Sequence, residues 1–463
     1  MLAASAALML TRIAAAQKPP TPISEESRDD RSGAGSRTPD DRGEEPAPDP
    51  EYASTTFRPR DEGSRLLSDL LKLPELGLRL AFTPLFPLLA LAEETRLDHR
   101  IEDLVTNDAH SRFVLPVFVA LTRDGVGGGI LYRHTDLFGS GEHLTLFGLM
   151  KVNGDRSVRL GYSEMVAVLN GRRLGMSLDH GVDHNERFFG IGPDAPQADL
   201  RALEARTLGA TLKLDVGGPS TFFSTGLGSE VSLHYTRERL ESGHHPGVEP
   251  LGQAGDSVEP PAGFEQTLDY AAATLRSSYD QRDMTGRTHR GFFSELRVNM
   301  TSDMNSQNVN AVRTDLSFAY FLPVAPRHRV LVLHAGSAIA APLGEQAEIP
   351  LDSLVSLGRN SGLRGYTDRR FRDRSGYWAT LEYRYPVFDF EDTENGLSAA
   401  LFVDAGGVSR SPLDYFHDPL HLGPGFGLRA ELPGLLVLTG HVAISSEGIE
   451  ASLGVNERYE LGD

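Results

Sequence analysis

From Arg112 to the end of the chain, apolar and polar residues alternate with a period of two, and this pattern constrains the fold most. In Thr207–Val216, Leu208, Ala210, Leu212, Leu214 and Val216 alternate with Thr207, Gly209, Thr211, Lys213 and Asp215. Val158, Leu160 and Tyr162 stand against Ser157, Arg159, Gly161 and Ser163, and Val231, Leu233 and Tyr235 against Glu230, Ser232, His234 and Thr236. Each such segment reads as a strand with one apolar and one polar face. About sixteen of them succeed one another, with roughly ten-residue runs between turn signals, which suits tilted strands crossing a bilayer. The pattern predicts an all-β fold: a single transmembrane antiparallel β-barrel of about 16 strands over residues 112–463.

Composition narrows the alternatives. The net charge of −19 excludes a nucleic-acid partner, because a phosphate binder needs a basic surface. The chain has no cysteine, which fits export to an oxidising compartment. No apolar run is long enough for a membrane-spanning helix. The mean hydropathy of −0.27 is compatible with a barrel, since alternation averages out.

The N-terminal part divides by character. Residues 1–16 end in Ala14-Ala15-Ala16 and read as a signal peptide. Residues 17–63, rich in Pro, Ser and charge, cannot bury enough surface to offset ordering and read as a disordered linker. Leu66, Leu67, Leu70, Leu71 and Leu73 fall at helical spacing, and Pro74, Pro84 and Pro87 divide the adjoining stretch into short pieces. Residues 64–111 are therefore expected to form a short helical segment, periplasmic or plugging the barrel.

Within the barrel region one loop and three strand segments stand out. Leu357-Gly-Arg-Asn-Ser-Gly-Leu-Arg-Gly-Tyr366 is a glycine-flanked polar loop, followed by the alternating Trp378–Pro386. Ser278-Tyr-Asp-Gln-Arg-Asp283 precedes Gly291. Leu401-Phe-Val-Asp-Ala-Gly406 ends on Asp-x-Gly, and Gly423-Pro-Gly-Phe-Gly-Leu-Arg429 comes after it. In order and spacing these four resemble motifs of the bacterial surface antigen superfamily, the BamA- and TamA-like outer-membrane barrels. The resemblance implies that the loop over 342–375 folds back into the lumen after the eleventh strand. It also marks Asp280, Arg282, Asp283, Gly291, Gly425, Gly427 and Arg429 as motif positions. Too few ordered residues lie between Gln17 and Arg112 for a polypeptide-transport-associated domain, so the chain looks like a short member of the family.

A guanidinium carried into a partly dry barrel needs a carboxylate partner. Alternation puts Asp404 on one face with Ser398 and Ala400, and Glu382 on one face with Trp378, Thr380 and Arg384. The family's pattern pairs its loop arginine with acids at these two positions, so an Arg364–Asp404–Glu382 contact is expected, with Gly365 allowing a tight tip, Tyr366 packed on the wall and Gly406 closing the strand motif.

The resemblance implies insertion or translocation of proteins or lipids at the outer membrane of a Gram-negative cell. Outer-membrane lipid and lipopolysaccharide are the expected surroundings, and an unfolded outer-membrane or secreted protein the expected substrate. Pro116 in the first strand and a short last strand, Ile449–Tyr459, would leave a labile seam. The alternative is a passive pore or structural barrel that scaffolds a partner through its N-terminal segment. No enzyme signature is apparent, and neither cofactor nor metal is expected. Asp179-His180-Gly-Val-Asp183-His184 has ligand residue types but reads as a strand end beside a loop, and Gly125–Gly129 lacks the Lys-Ser/Thr of a phosphate cradle.

Overall fold

The structure is a computed structural model that describes residue 107 and residues 111–455, apart from 123–124, 140, 167–171, 218–225, 246, 284–286, 306–307, 326–328, 390–395 and 433–435. The expected signal peptide and linker lie outside the described residues, and so does all of the expected helical segment but Asn107 and Ser111.

Strands follow one another as antiparallel neighbours. The ladder begins with β1 (Arg112–Thr122), β2 (Gly125–Thr135), β3 (His143–Lys151), β4 (Arg156–Val166) and β5 (Arg172–Phe188). It continues through β6 (Arg201–Gly217) and β7 (Gly226–Ser242), with the two-residue β8 (Glu249–Pro250) lying parallel to β6. Next come β9 (Thr267–Asp280), β10 (Gly291–Asp303), β11 (Asn310–Ala325) and β12 (Arg329–Pro342). The short hairpin β13 (Val355–Leu357) and β14 (Phe371–Asp373) belongs to the long connection after β12. The main sheet resumes with β15 (Ser375–Asp389), β16 (Gly396–Ser409), β17 (His421–Leu432), β18 (Leu436–Ser445) and β19 (Gly448–Val455). Cα atoms of β1 and β19 return to within 8 Å of one another.

Burial is inverted relative to a water-soluble protein. Leu178, Leu208, Leu233, Leu275, Leu316 and Leu381 are all exposed. Ser232, Glu295, Asp315, Ser317, Glu382 and Asp404 are buried. Large apolar side chains turned outward over a whole sheet would be a severe aggregation liability in water, whereas hydrocarbon is their natural solvent.

Two strands run further than alternation suggests. Apolar alternation in β5 fades after about Asp179-His180, yet the strand continues to Phe188. From Asp183 to Arg187 it is polar on both faces, before the buried Phe188, as befits a wall that rises beyond an apolar band. That extension moves Asp179-His180-Gly-Val-Asp183-His184 from a strand end onto a strand. The two aspartates line interior cavities, while the two histidines bond Thr207 and Glu204 of β6. Among the described residues no three such side chains converge as metal ligands. The other is β7, which alternates over Val231–Thr236 and runs on through charged residues to Ser242.

The connection between β12 and β15 folds over the buried face. Leu351 and Leu354 pack into a cluster with Phe188, Leu203, Leu240 and Leu251. Val355, Leu357, Leu363, Tyr366 and Phe371 form a second with Ala338, Trp378 and Val408. The polar inner face is thus sealed by apolar contacts that the loop itself brings.

The inversion gives a direct test. Leu233→Lys puts a charge on the outward face and, if that face meets hydrocarbon, destabilises the protein in vesicles by about 2–4 kcal/mol. Thr236→Lys, on the cavity-lining face of the same strand, should be tolerated. Equal unfolding free energies for the two variants in vesicles would contradict the assignment of faces.

Candidate functional site

Six arginines lie between Arg359 and Arg374, in a chain whose net charge is −19. The site is built from five of them and the acids that receive them. Arg364 lies at the loop tip and is 6% exposed. Its Nε donates to Asp404 Oδ2 at 2.8 Å and its Nη2 to Oδ1 at 2.7 Å, a two-pronged pair with β16. The Arg364 backbone N–H donates to the same carboxylate at 2.9 Å. Nη1 donates to Glu382 Oε2 of β15 at 2.7 Å. Asp404 also accepts from the Thr380 hydroxyl at 2.8 Å, and Glu382 from Arg384 Nε at 3.0 Å. The structure therefore brings Arg364, Asp404 and Glu382 into one buried charge cluster. Burial opposes the Arg364 charge, but the hydrogen bonds to Asp404 and the charge of Glu382 outweigh it and hold the guanidinium above its usual range.

Glycines set the geometry. The Arg364 guanidinium carbon sits 3.3 Å from the centroid of the Phe402 ring. A Cβ on Gly425 would come within 2.5 Å of that ring, so only glycine there leaves the ring its place beneath the guanidinium. Gly365 lies backbone-to-backbone on the wall: a Cβ would stand 2.9 Å from Ile444 O and 3.2 Å from Gly423 Cα. Close approach, rather than unusual torsion, is what requires glycine there. Tyr366 is buried, edge-on to Phe371 at 5.1 Å, while Phe371 stacks on His421 of β17 at 3.7 Å. A Cβ on Gly406 would meet Tyr377 O at 2.6 Å.

Sequence reasoning missed most of the remaining partners. Arg369 Nη1 donates to Glu186 Oε1 of β5 at 2.9 Å, and Arg372 donates to the same oxygen. Arg370 pairs with Glu447, in the turn between β18 and β19, at 2.7 Å, and donates to Ala195 O at 2.9 Å. Arg359 approaches Glu450 of β19 at 3.7 Å, and the Thr367 hydroxyl donates to Glu450 at 3.1 Å. Arg369 has φ of 50°, a left-handed backbone that a non-glycine residue adopts only when its surroundings hold it. The charge of Glu186 keeps the Arg369 guanidinium above its usual pKa range. The arginine density of the loop was the available signal. Its partners lie on strands far away in sequence.

The other motif positions lie elsewhere. Arg282 and Asp280 form a buried pair at 2.6 Å, with the Arg282 guanidinium 4.7 Å from the Phe293 centroid. Asp283 accepts from the backbone N–H groups of His289 and Arg290, closing the connection between β9 and β10. Gly291 has φ of 113°, and a Cβ there would collide with Gln281 O at 2.1 Å. Gly427 faces Gly440 O, at 3.0 Å from where its Cβ would be, and Arg429 is buried on β17, close enough to act on Glu382.

Residues 136–449 match the family model described as the Omp85 superfamily domain. Among solved structures, BamA from Haemophilus ducreyi lacking POTRA domains 1–3 is similar at 16% identity and a TM-score of 0.52, over 75% of this chain and 70% of that one. CdiB from Acinetobacter baumannii is 14% identical with a TM-score of 0.45, over 74% of this chain and 59% of that one. CdiB from Escherichia coli gives 12% and 0.48, over 74% and 61%. No curated protein sequence matches.

Two substitutions test the site. Arg364→Ala leaves Asp404 and Glu382 short of a counter-charge and should cost about 3–5 kcal/mol. The readout is the temperature at which folded, fast-migrating protein is lost on gels; an unchanged temperature would show that the cluster does not hold the fold. Gly425→Ala should displace the Phe402 ring and cost about 1–3 kcal/mol through overpacking, with the charges intact.

Proposed function

The chain belongs to the Omp85 superfamily, and from that membership we propose that it is an integral barrel of a bacterial outer membrane that inserts or translocates proteins there. In this reading the antiparallel ladder closes between β1 and β19 into a sixteen-stranded barrel, counting the strands joined by the ladders and leaving aside β8, β13 and β14. The observation that carries the proposal is the loop: five arginines dock it on acids of β5, β15, β16, the β18–β19 turn and β19. Such a loop holds the lumen shut and the wall in register, so polypeptide would be handled at the wall rather than through the centre.

The working edge is then the meeting of β1 and β19. Pro116 in β1 lacks a ladder donor, and an edge that pairs weakly can template an incoming strand through main-chain hydrogen bonds. Outer-membrane lipid surrounds the outward apolar face, and an unfolded outer-membrane or secreted protein is the substrate class.

A second reading, a passive plugged pore, is favoured by one feature: a polar cavity of about 470 Å³ lies beside the docked loop, lined by Arg159, Lys213, Glu230, Arg297 and Asp315 among others. Reconstitution separates the two. Purified protein in vesicles should speed the folding of an added unfolded test barrel over empty vesicles. No acceleration, together with steady ion conductance, would reject the insertion reading in favour of the pore.

A further inference from the structure

The connection between β16 and β17 carries three exposed large apolar side chains. Phe416 is 97% exposed, Leu413 85% and Leu420 56%. They do not hang on a loose tip. Asp414 N–H donates to Ser411 O at 2.9 Å, His417 N–H to Asp414 O at 2.8 Å, and Ser411 Oγ accepts from Leu413 N–H at 3.3 Å. This tight turn puts Leu413 and Phe416, three residues apart, on one side.

The other side of the turn is fastened to the outer wall. Tyr415 Oη donates to Gly376 O at 3.0 Å and lies 3.1 Å from Ser337 Oγ. Its ring lies 4.6 Å from that of Tyr377, whose hydroxyl donates to Tyr415 O at 3.2 Å. Ser337 shares its face of β12 with the exposed Leu333 and Ile339, and Tyr377 shares its face of β15 with the exposed Leu381. Pro419 lies against the same wall, for a Cβ on Gly407 would be 2.7 Å from Pro419 O. The connection therefore folds down the outside of the sheet, where its apolar side chains extend the outward apolar face.

We infer that Leu413 and Phe416 form a lipid wedge: a preformed turn, pinned by Tyr415, that inserts these side chains into the adjoining leaflet beside β12, β15 and β16. This rests on the barrel reading above. The occupant is lipid because the wedge is continuous with the apolar face and lies next to two tyrosines, the residues that favour a bilayer interface. Asp414 and Asp418 on the same turn set its depth, since charged carboxylates stay at headgroup level. The wedge fixes the height of the rim above the two strands that hold Asp404 and Glu382.

The chain has no cysteine, so single labels are clean. Phe416→Cys and Leu381→Cys would each carry an environment-sensitive fluorophore in phosphatidylcholine vesicles. Nitroxide lipids of different depth and aqueous iodide serve as quenchers, with gel mobility verifying the fold. Leu413→Cys gives the same readout should the first variant misfold. The wedge requires quenching at position 416 by shallow nitroxide and shielding from iodide, with position 381 quenched by deeper nitroxide. Iodide access at 416 with lipid quenching at 381 would overturn the wedge and leave the barrel standing. Shielding of 416 from both quenchers would mean that protein, a second copy or a partner, covers it, and would also overturn the wedge. Lipid quenching at neither position would bring down the barrel reading and the wedge together.

Discussion

A guanidinium that is almost entirely withdrawn from water must have its counter-charges brought to it, and much of this structure depends on that need. Arg364 has Asp404 on two nitrogens and Glu382 on a third. For those acids to reach it, β15 and β16 must lie side by side in the register that sets Thr380 opposite Asp404 and Glu382 opposite Phe402. For the loop tip to come close enough, Gly365 must touch β17 and β18 without a side chain. For the Phe402 ring to fit beneath the charge, Gly425 must be bare as well. Partnered in this way the buried charges hold one arrangement, whereas removal of a single partner would leave the rest exposed to the full desolvation cost.

The same outward apolar face that made the strands legible explains what remained hidden. A period of two fixes which residues share a face, so Asp404 and Glu382 could be placed by alternation, while the inward-folded arginine that they meet was what the family resemblance implied. Strand pairing with a neighbour is local, and the β15–β16 pair is joined by a short connection. Glu186, Glu447 and Glu450 were different. Alternation does not say which wall a folded loop will touch, and Arg369 and Glu186 are separated by 183 residues. The upper part of β5 was hidden for another reason: from Asp183 to Arg187 both faces are polar, so the periodic signal vanishes while the hydrogen-bonded ladder continues to Phe188. Phe402 is different again, because its role as the floor under Arg364 depends on the bare Gly425 opposite it on β17, which no local pattern reveals.

Within the proposed function, the loop and the seam make opposite demands. Undocking the loop would take from Glu186, Glu382, Asp404, Glu447 and Glu450 the arginines that now pair with them, and breaking a buried ion pair costs on the order of several kcal/mol. It would also expose Leu351, Leu354, Leu363 and Phe371, which seal the inner face. The loop is therefore a fixed brace, and any opening of the wall must occur where pairing is weakest. The brace is not neutral between the two edges. Through Glu450, and through Glu447 in the turn before it, the loop grips β19. The opposite edge strand, β1, contains Pro116 and pairs with a β2 that has glycine at 127, 128 and 129, where no side chains stiffen the ladder. An opening at this meeting of edges would move β1 away from a β19 that the arginine loop keeps in place.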